Sequence, residues 1–386
     1  MVGVCIKYFH KNYGGMLQAY ATVKMLEAHG LDYELIRYKK TYTPLRVVRF
    51  IPRLLNRILL NDKYEALLKK IGKVMHPGFS KDDDTRNKAF QRFVREHFVK
   101  LSPLFIGHDA LRNGAKRYSA IITGSDQLWS PAGLPTNYYN LAFVPDETRK
   151  ISYASSFGVN QIPWYQRKRT ARYINRLDYI SMRENRGVEL VEALTGRLPP
   201  IVLDPVFMFN ATAWEKLIPV KTESEPLYIF AYFLGNTPEY RNIVQEAAKK
   251  LGCKIITLRH LDQYIKGDES FGDEAPYNVD PANFLNLLRG AAYVCTDSFH
   301  GAALSIIHHK KFVVFNRYSE LSKNSKNSRI DTLCINFGVK ERRYHSAKPL
   351  CEQLDAPIDY ESVDQAYQIL KKETDKYLDN ALSGIN

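Results

Sequence analysis

Short apolar runs that end on glycine, serine or aspartate and pass directly into a helical period recur along this chain. They constrain its fold more than any other feature, because strands alternating with helices build a parallel sheet covered by helices. Runs at 2–8, 33–38, 119–123, 150–154, 179–182 and 201–203 are the expected strands of the first half. Runs at 227–233, 254–258, 291–295 and 312–315 are those of the second. Between them the periodicity predicts helices over 15–29, closed by Gly30, and over 85–98, 238–251, 281–289 and 362–382.

At 386 residues the chain exceeds one ordinary core, which predicts two α/β units. The polar stretch 221–226 reads as an interdomain connection. The expected division is an amino-terminal lobe over 1–212, with a basic helical insertion at about 44–100, and a carboxyl-terminal lobe over 213–386 that includes the terminal helix. A cleft lies between them. With 45% hydrophobic and 25% charged residues the chain is a folded one, not a disordered one.

Five scattered cysteines without a CxxC pair fit a reducing cytosol. The first residues turn polar too early for a signal peptide, and no apolar stretch reaches the roughly 18 residues of a spanning helix. The expected location is cytoplasmic, peripheral to the inner membrane face. A formal charge of +14 points to an acidic partner. Much of it is local: residues 46–73 hold eight Lys and Arg against two Asp and Glu, interleaved with aliphatic residues. That composition suits a basic amphipathic helix on an anionic membrane surface, or an ordinary packed helix with a basic outer face. The concentration of charge in one segment, without an RRM, KH or zinc pattern, argues against nucleic acid.

Several strand ends carry chemistry. Thr296-Asp297-Ser298-Phe299-His300-Gly301 leaves an apolar strand and enters a helix, so His300 stands where open α/β folds place ligands. Histidine there can serve as an acid near neutral pH. Gly301 permits close approach, and Asp297 is expected to orient the imidazole. Gly124-Ser125-Asp126-Gln127-Leu128-Trp129 follows another strand; Asp126 can accept a proton from a sugar hydroxyl, and Trp129 can stack on a sugar face. Ser125 and Asp126 equally suit a helix cap. Ser155 and Ser156 end a similar strand, and Asn12 with Gly14 and Gly15 opens the first helix, where backbone amides favour an anion. Arg183 ends a strand as a planar guanidinium that suits carboxylate or phosphate, or else pairs with Glu184 or a neighbouring acid. Asn327 and Arg329 supply a second cationic loop. Asp82-Asp83-Asp84 reads as a solvated helix cap, and no metal site is expected because ligand spacing is absent.

In order along the chain, Asn12-Tyr13-Gly14-Gly15 with Leu17-Gln18-Ala19-Tyr20, the Gly124–Trp129 and Tyr153–Gly158 segments, Ser181-Met182-Arg183-Glu184, Leu203-Asp204-Pro205 and the His300 hexapeptide resemble the polysaccharide pyruvyl transferase family. The resemblance spans about residues 1–340. It implies two Rossmann-like, doubly wound lobes similar to GT-B glycosyltransferases, and transfer of a pyruvyl group from phosphoenolpyruvate to a sugar, closing a ketal. No cofactor is implied beyond that donor. His300 and Asp126 are then the expected catalytic pair. Arg183, Ser298, Phe299, Gly301, Asn327 and Arg329 are expected on the donor side. Asn12, Gly14, Gly15, Gln18, Ser125, Gln127, Trp129, Ser155 and Ser156 are expected on the acceptor side of the cleft, with Asp297 and Glu184 orienting. One position departs from the family: Ser298 stands where members with demonstrated pyruvylation commonly carry arginine, and Arg329 is the expected replacement. A lipid-linked sugar acceptor would account for the basic, apolar segment 46–73. A nucleotide-sugar glycosyltransferase and a non-catalytic glycan-binding protein are the alternatives.

Overall fold

Residues that are apolar on both sides of a strand need cover on both faces, and the chain supplies it twice. A computed structural model describes residues 1–41, 57–133, 136–221, 227–260, 263–317 and 328–385. The strands are β1 (Val2–Cys5), β2 (Tyr33–Lys39), β3 (Leu101–Ile106), β4 (Ala120–Thr123), β5 (Arg149–Ser155), β6 (Tyr179–Met182), β7 (Tyr228–Tyr232), β8 (Lys254–Thr257), β9 (Tyr293–Thr296) and β10 (Lys311–Val314). The first six form one sheet in the order β3-β2-β1-β4-β5-β6, and the last four a second in the order β10-β9-β7-β8. Every ladder is parallel. These are the two expected Rossmann-like lobes.

The helices are α1 (Tyr13–Ala28), α2 (Arg57–Met75), α3 (Pro77–His97), α4 (His108–Ala115), α5 (Trp164–Asn175), α6 (Asn185–Thr195), α7 (Ala211–Leu217), α8 (Pro238–Leu251), α9 (Pro281–Gly290), α10 (Phe299–Ile307), α11 (Ser328–Asn336), α12 (Leu350–Asp355) and α13 (Tyr360–Leu382). Three expectations need correction. Strand β3 was not expected, because Ser102 and Pro103 interrupt its apolar residues and it is largely exposed. It lies at the sheet edge, where a missing N–H costs least. Ile201–Leu203 makes one bridge, Met182 to Ile201, in place of a strand. Asp82-Asp83-Asp84 is not a cap, since α3 starts earlier, at Pro77, and Asp83 is fully buried among Lys73 and Lys11. Residues 46–56 of the basic segment, and Asn327, lie outside the described residues.

Strand order reverses between β1 and β4 in the first sheet and between β7 and β9 in the second. Those reversals open crevices at the strands' carboxyl ends. Tyr13, at the start of α1, joins the lobes: its ring stacks on Phe284 of α9 at 4.9 Å and 5°, lies 4.7 Å from Phe90, and its hydroxyl donates to Val279 O at 3.1 Å. Helix α13 returns across the first lobe. Its Thr374 Oγ1 accepts from Leu203 N at 3.0 Å, and its Tyr377 hydroxyl donates to Ser152 O of β5 at 2.9 Å.

Tyr13→Ala should cost about 3–5 kcal/mol of unfolding free energy by leaving a cavity between the lobes. Tyr13→Phe keeps the stack and loses one hydrogen bond, so it should cost only about 1 kcal/mol. Urea unfolding of the two variants checks the difference.

Candidate active site

Both crevices open on the same space, and a helix begins from each. Asn12 caps α1, its side chain accepting from Gly15 N at 2.8 Å. Ser298 caps α10 in the same way, accepting from Gly301 N at 3.3 Å. The two helix starts meet at Gly14 and His300. A Cβ at Gly14 would stand 2.3 Å from His300 Cβ and 2.6 Å from the ring, so only glycine lets the lobes close here. Two helix amino termini facing one cleft favour a bound anion.

Beneath His300 lies a buried polar layer. Asp204 is 0% exposed at its side chain and faces His300 Nε2 across 3.7 Å, an ion-pair separation. The same carboxylate oxygen accepts from Arg183 Nη1 at 2.6 Å and lies 2.9 Å from Ser125 Oγ. Arg183 Nη2 donates to Asp126 Oδ1 at 3.3 Å, and the guanidinium lies over the Phe299 ring at 4.6 Å. Asp204 Oδ1 accepts from Val206 N at 3.2 Å, so the acid is fixed by its own turn. Burial alone would raise the Asp204 carboxyl; facing His300 and Arg183 outweigh it and hold the group at about 2. Burial is likewise outweighed at Asp126, where Arg183, Lys7, His300 and Arg329 pull the carboxyl far below its usual range. Asp126 has φ 58°, which aims its carboxylate at Arg183 and the cleft at a conformational cost of about 1 kcal/mol.

Above this layer is a cavity of about 450 Å³. Lys7 and Asn12 line it after β1, Asp126, Gln127 and Tyr139 after β4, Leu234 after β7, Ser298, Phe299 and His300 after β9, Arg317 after β10, and Arg329 from α11. The Gln127 amide, oriented to satisfy both partners, accepts from Arg329 Nη1 and Nη2 at 2.8 and 2.5 Å. Burial, reinforced by Arg183, lowers the Arg329 guanidinium to about 10. An arriving anion would relieve that strain.

The polysaccharide pyruvyl transferase family model matches residues 12–319. The chain belongs to this family. It is therefore an enzyme, a sugar-modifying transferase of polysaccharide biosynthesis. No curated protein matches the sequence. Among solved structures, the chain is similar to a Listeria monocytogenes protein assigned as a UDP-N-acetylglucosamine 2-epimerase, with 11% identity over 96% of this chain and 94% of that one and a TM-score of 0.50. It is also similar to MurG from Acinetobacter baumannii (9% identity, 100% and 95% covered, TM-score 0.42) and to UDP-GlcNAc 2-epimerase from Methanocaldococcus jannaschii (11%, 96% and 98%, 0.42). At such identity the likeness is one of fold.

The structure gathers His300, Asp126, Asn12, Gly14, Gly15, Gln127, Ser298, Phe299 and Arg329 around one cavity. It gives other expected residues different work. Arg183, only 1% exposed, is spent on Asp204 and Asp126 and does not face the cavity. Asp297 does not orient His300: its oxygens accept from Leu234 N and Gly235 N, both at 2.7 Å, tying β9 to the turn after β7. Trp129 is buried, donating to Tyr139 O at 3.2 Å and packing on Phe157, so it cannot stack on a sugar. Gln18 is buried in α1 and donates to Thr22 Oγ1. Ser155 meets Ser152, Ser156 donates to Glu184, and Ser125 sits on Asp204, all below the cavity floor. Gly301 has no room for a side chain because Thr296 Oγ1 would stand 2.7 Å from it. Lys7, Arg317 and the role of Asp204 were not foreseen. The readable signal for the first two is a cation two or three residues past a buried strand's carboxyl end.

Asp204→Asn should lower stability at neutral pH by about 3–5 kcal/mol, since it leaves Arg183 without its buried counter-charge and with only the part-exposed Asp126 as an ion-pair partner. A carboxyl held below its unfolded value adds stability above about pH 4, and that stability is lost as pH falls through about 2; here it amounts to about 2 kcal/mol. Denaturant unfolding across that range should show the acid limb in the parent chain and a shallower one in the variant.

Proposed function

We propose that this enzyme transfers the pyruvyl group of phosphoenolpyruvate to two hydroxyls of one sugar, closing a ketal, with its lobes in a GT-B-like arrangement. The observation that supports this reading is the cavity in which Lys7, Arg317 and Arg329 surround His300 at two helix starts. Three cations suit a small donor carrying both a phosphate and a carboxylate.

In the reaction a proton adds to the donor's methylene carbon, and the neighbouring carbon becomes electrophilic. One sugar hydroxyl attacks that carbon. Its bond to the phosphate oxygen breaks, and the second hydroxyl closes the ketal. Of the two hydroxyl protons, one is balanced by the new methyl group and the other by the phosphate released. His300 is the general acid or the stabiliser of departing phosphate, and Asp204 and Arg183 hold it in place from below. Asp126 is held too acidic to be an effective base, so its role is to anchor a sugar hydroxyl as an acceptor. Arg317 and Arg329 take the place of the arginine absent at Ser298, whose hydroxyl is committed to capping α10.

His300→Ala should lower turnover by about 10²–10⁴-fold with the fold intact. Phosphoenolpyruvate should raise the melting temperature of the parent chain by linkage, and nucleotide sugars should not. Arg329→Met should weaken that shift while leaving the unliganded protein at least as stable. A shift given by a nucleotide sugar alone, or near-normal turnover in His300→Ala, would remove the proposal.

A further inference from the structure

An amphipathic helix on a globular protein normally turns its apolar stripe to the core, and α2 does the reverse. Tyr64, Leu67, Leu68, Ile71, Val74 and Met75 recur at helical spacing and fall within an arc of about 120°. All are exposed: Tyr64 by 62%, Leu67 by 54%, Val74 by 80% and Met75 by 69%. The opposite side is the one that holds the helix down. Lys73 binds the buried carboxylate of Asp83 in α3, a side chain at Gly72 would touch Tyr264 Cβ at 3.5 Å, and His76 just beyond the helix stacks on the Tyr264 ring at 3.5 Å. Asp83 also lies 3.6 Å from Lys11, next to the Asn12 that lines the cavity. The polar face is thus anchored to the edge of the active site and the apolar face points outward.

We propose that the outward face of α2 docks on an anionic membrane surface. Charge selects this occupant. Lys70 stands exposed beside the stripe, and the sequence 46–73 carries six net positive charges in a chain of +14, a composition that repels a second copy of itself and attracts acidic headgroups. Among the described residues no helix is long and apolar enough to cross a membrane, so α2 lies on the surface, its apolar side chains entering the headgroup boundary. The inference is independent of the donor chemistry.

Sedimentation of the full chain with vesicles tests it. The protein should bind vesicles of phosphatidylglycerol and phosphatidylcholine, should leave pure phosphatidylcholine vesicles in solution, and should be released by high salt. A Leu67→Asp, Ile71→Asp, Val74→Asp triple variant should bind about tenfold more weakly or worse, with an unchanged melting temperature because these side chains are exposed. Equal binding by parent and variant, or no binding to the anionic vesicles, would overturn the proposal. So would a parent dimer that the triple variant dissociates, since a second copy would then cover the stripe.

Discussion

A single buried carboxylate, Asp204, organises the active site. Its Oδ2 is shared among Arg183, Ser125 and the facing His300, so residues after β4, β6 and β9 are held in one network spanning both lobes. Burying Arg183 without it would leave a charge in a dry interior, which is far costlier than the pair itself. Arg183 in turn fixes Asp126 and supports Phe299, so the positions of both expected catalytic groups follow from this one acid.

The lobes contribute symmetrically. Each places a reversal of strand order at the cleft, and each begins a capped helix there. The contact of Gly14 with His300 and the Tyr13 stack on Phe284 lie at adjacent positions of α1, so closure of the lobes and alignment of the histidine are coupled. A helix start, a second helix start and three cations all favour negative charge in the same cavity.

Much of this was legible in the sequence, for physical reasons that also explain what was not. The central strands are apolar throughout because both faces are covered, and that pattern is local. His300 was legible because a strand-to-helix turn is local too. Strand β3 was hidden, since Pro103 breaks its pattern and is tolerated only because the strand lies at the sheet edge. Lys7 and Arg317 carry no periodicity, and their shared cavity exists only once the two sheets are packed together. Trp129 was misread because its burial depends on Tyr139 and Phe157, which other segments bring to it. Arg183 is expected from the sequence to meet a ligand, whereas its guanidinium is bound by Asp126 and by Asp204, which lies 21 residues away in the chain.

The reaction itself is the most direct measurement. The purified enzyme, incubated with phosphoenolpyruvate and a panel of free and lipid-linked galactosides, should release phosphate in step with a sugar product heavier by one pyruvyl ketal. Phosphate released without a change in any sugar, or no phosphate released while a nucleotide sugar is consumed, would contradict pyruvyl transfer in this cavity.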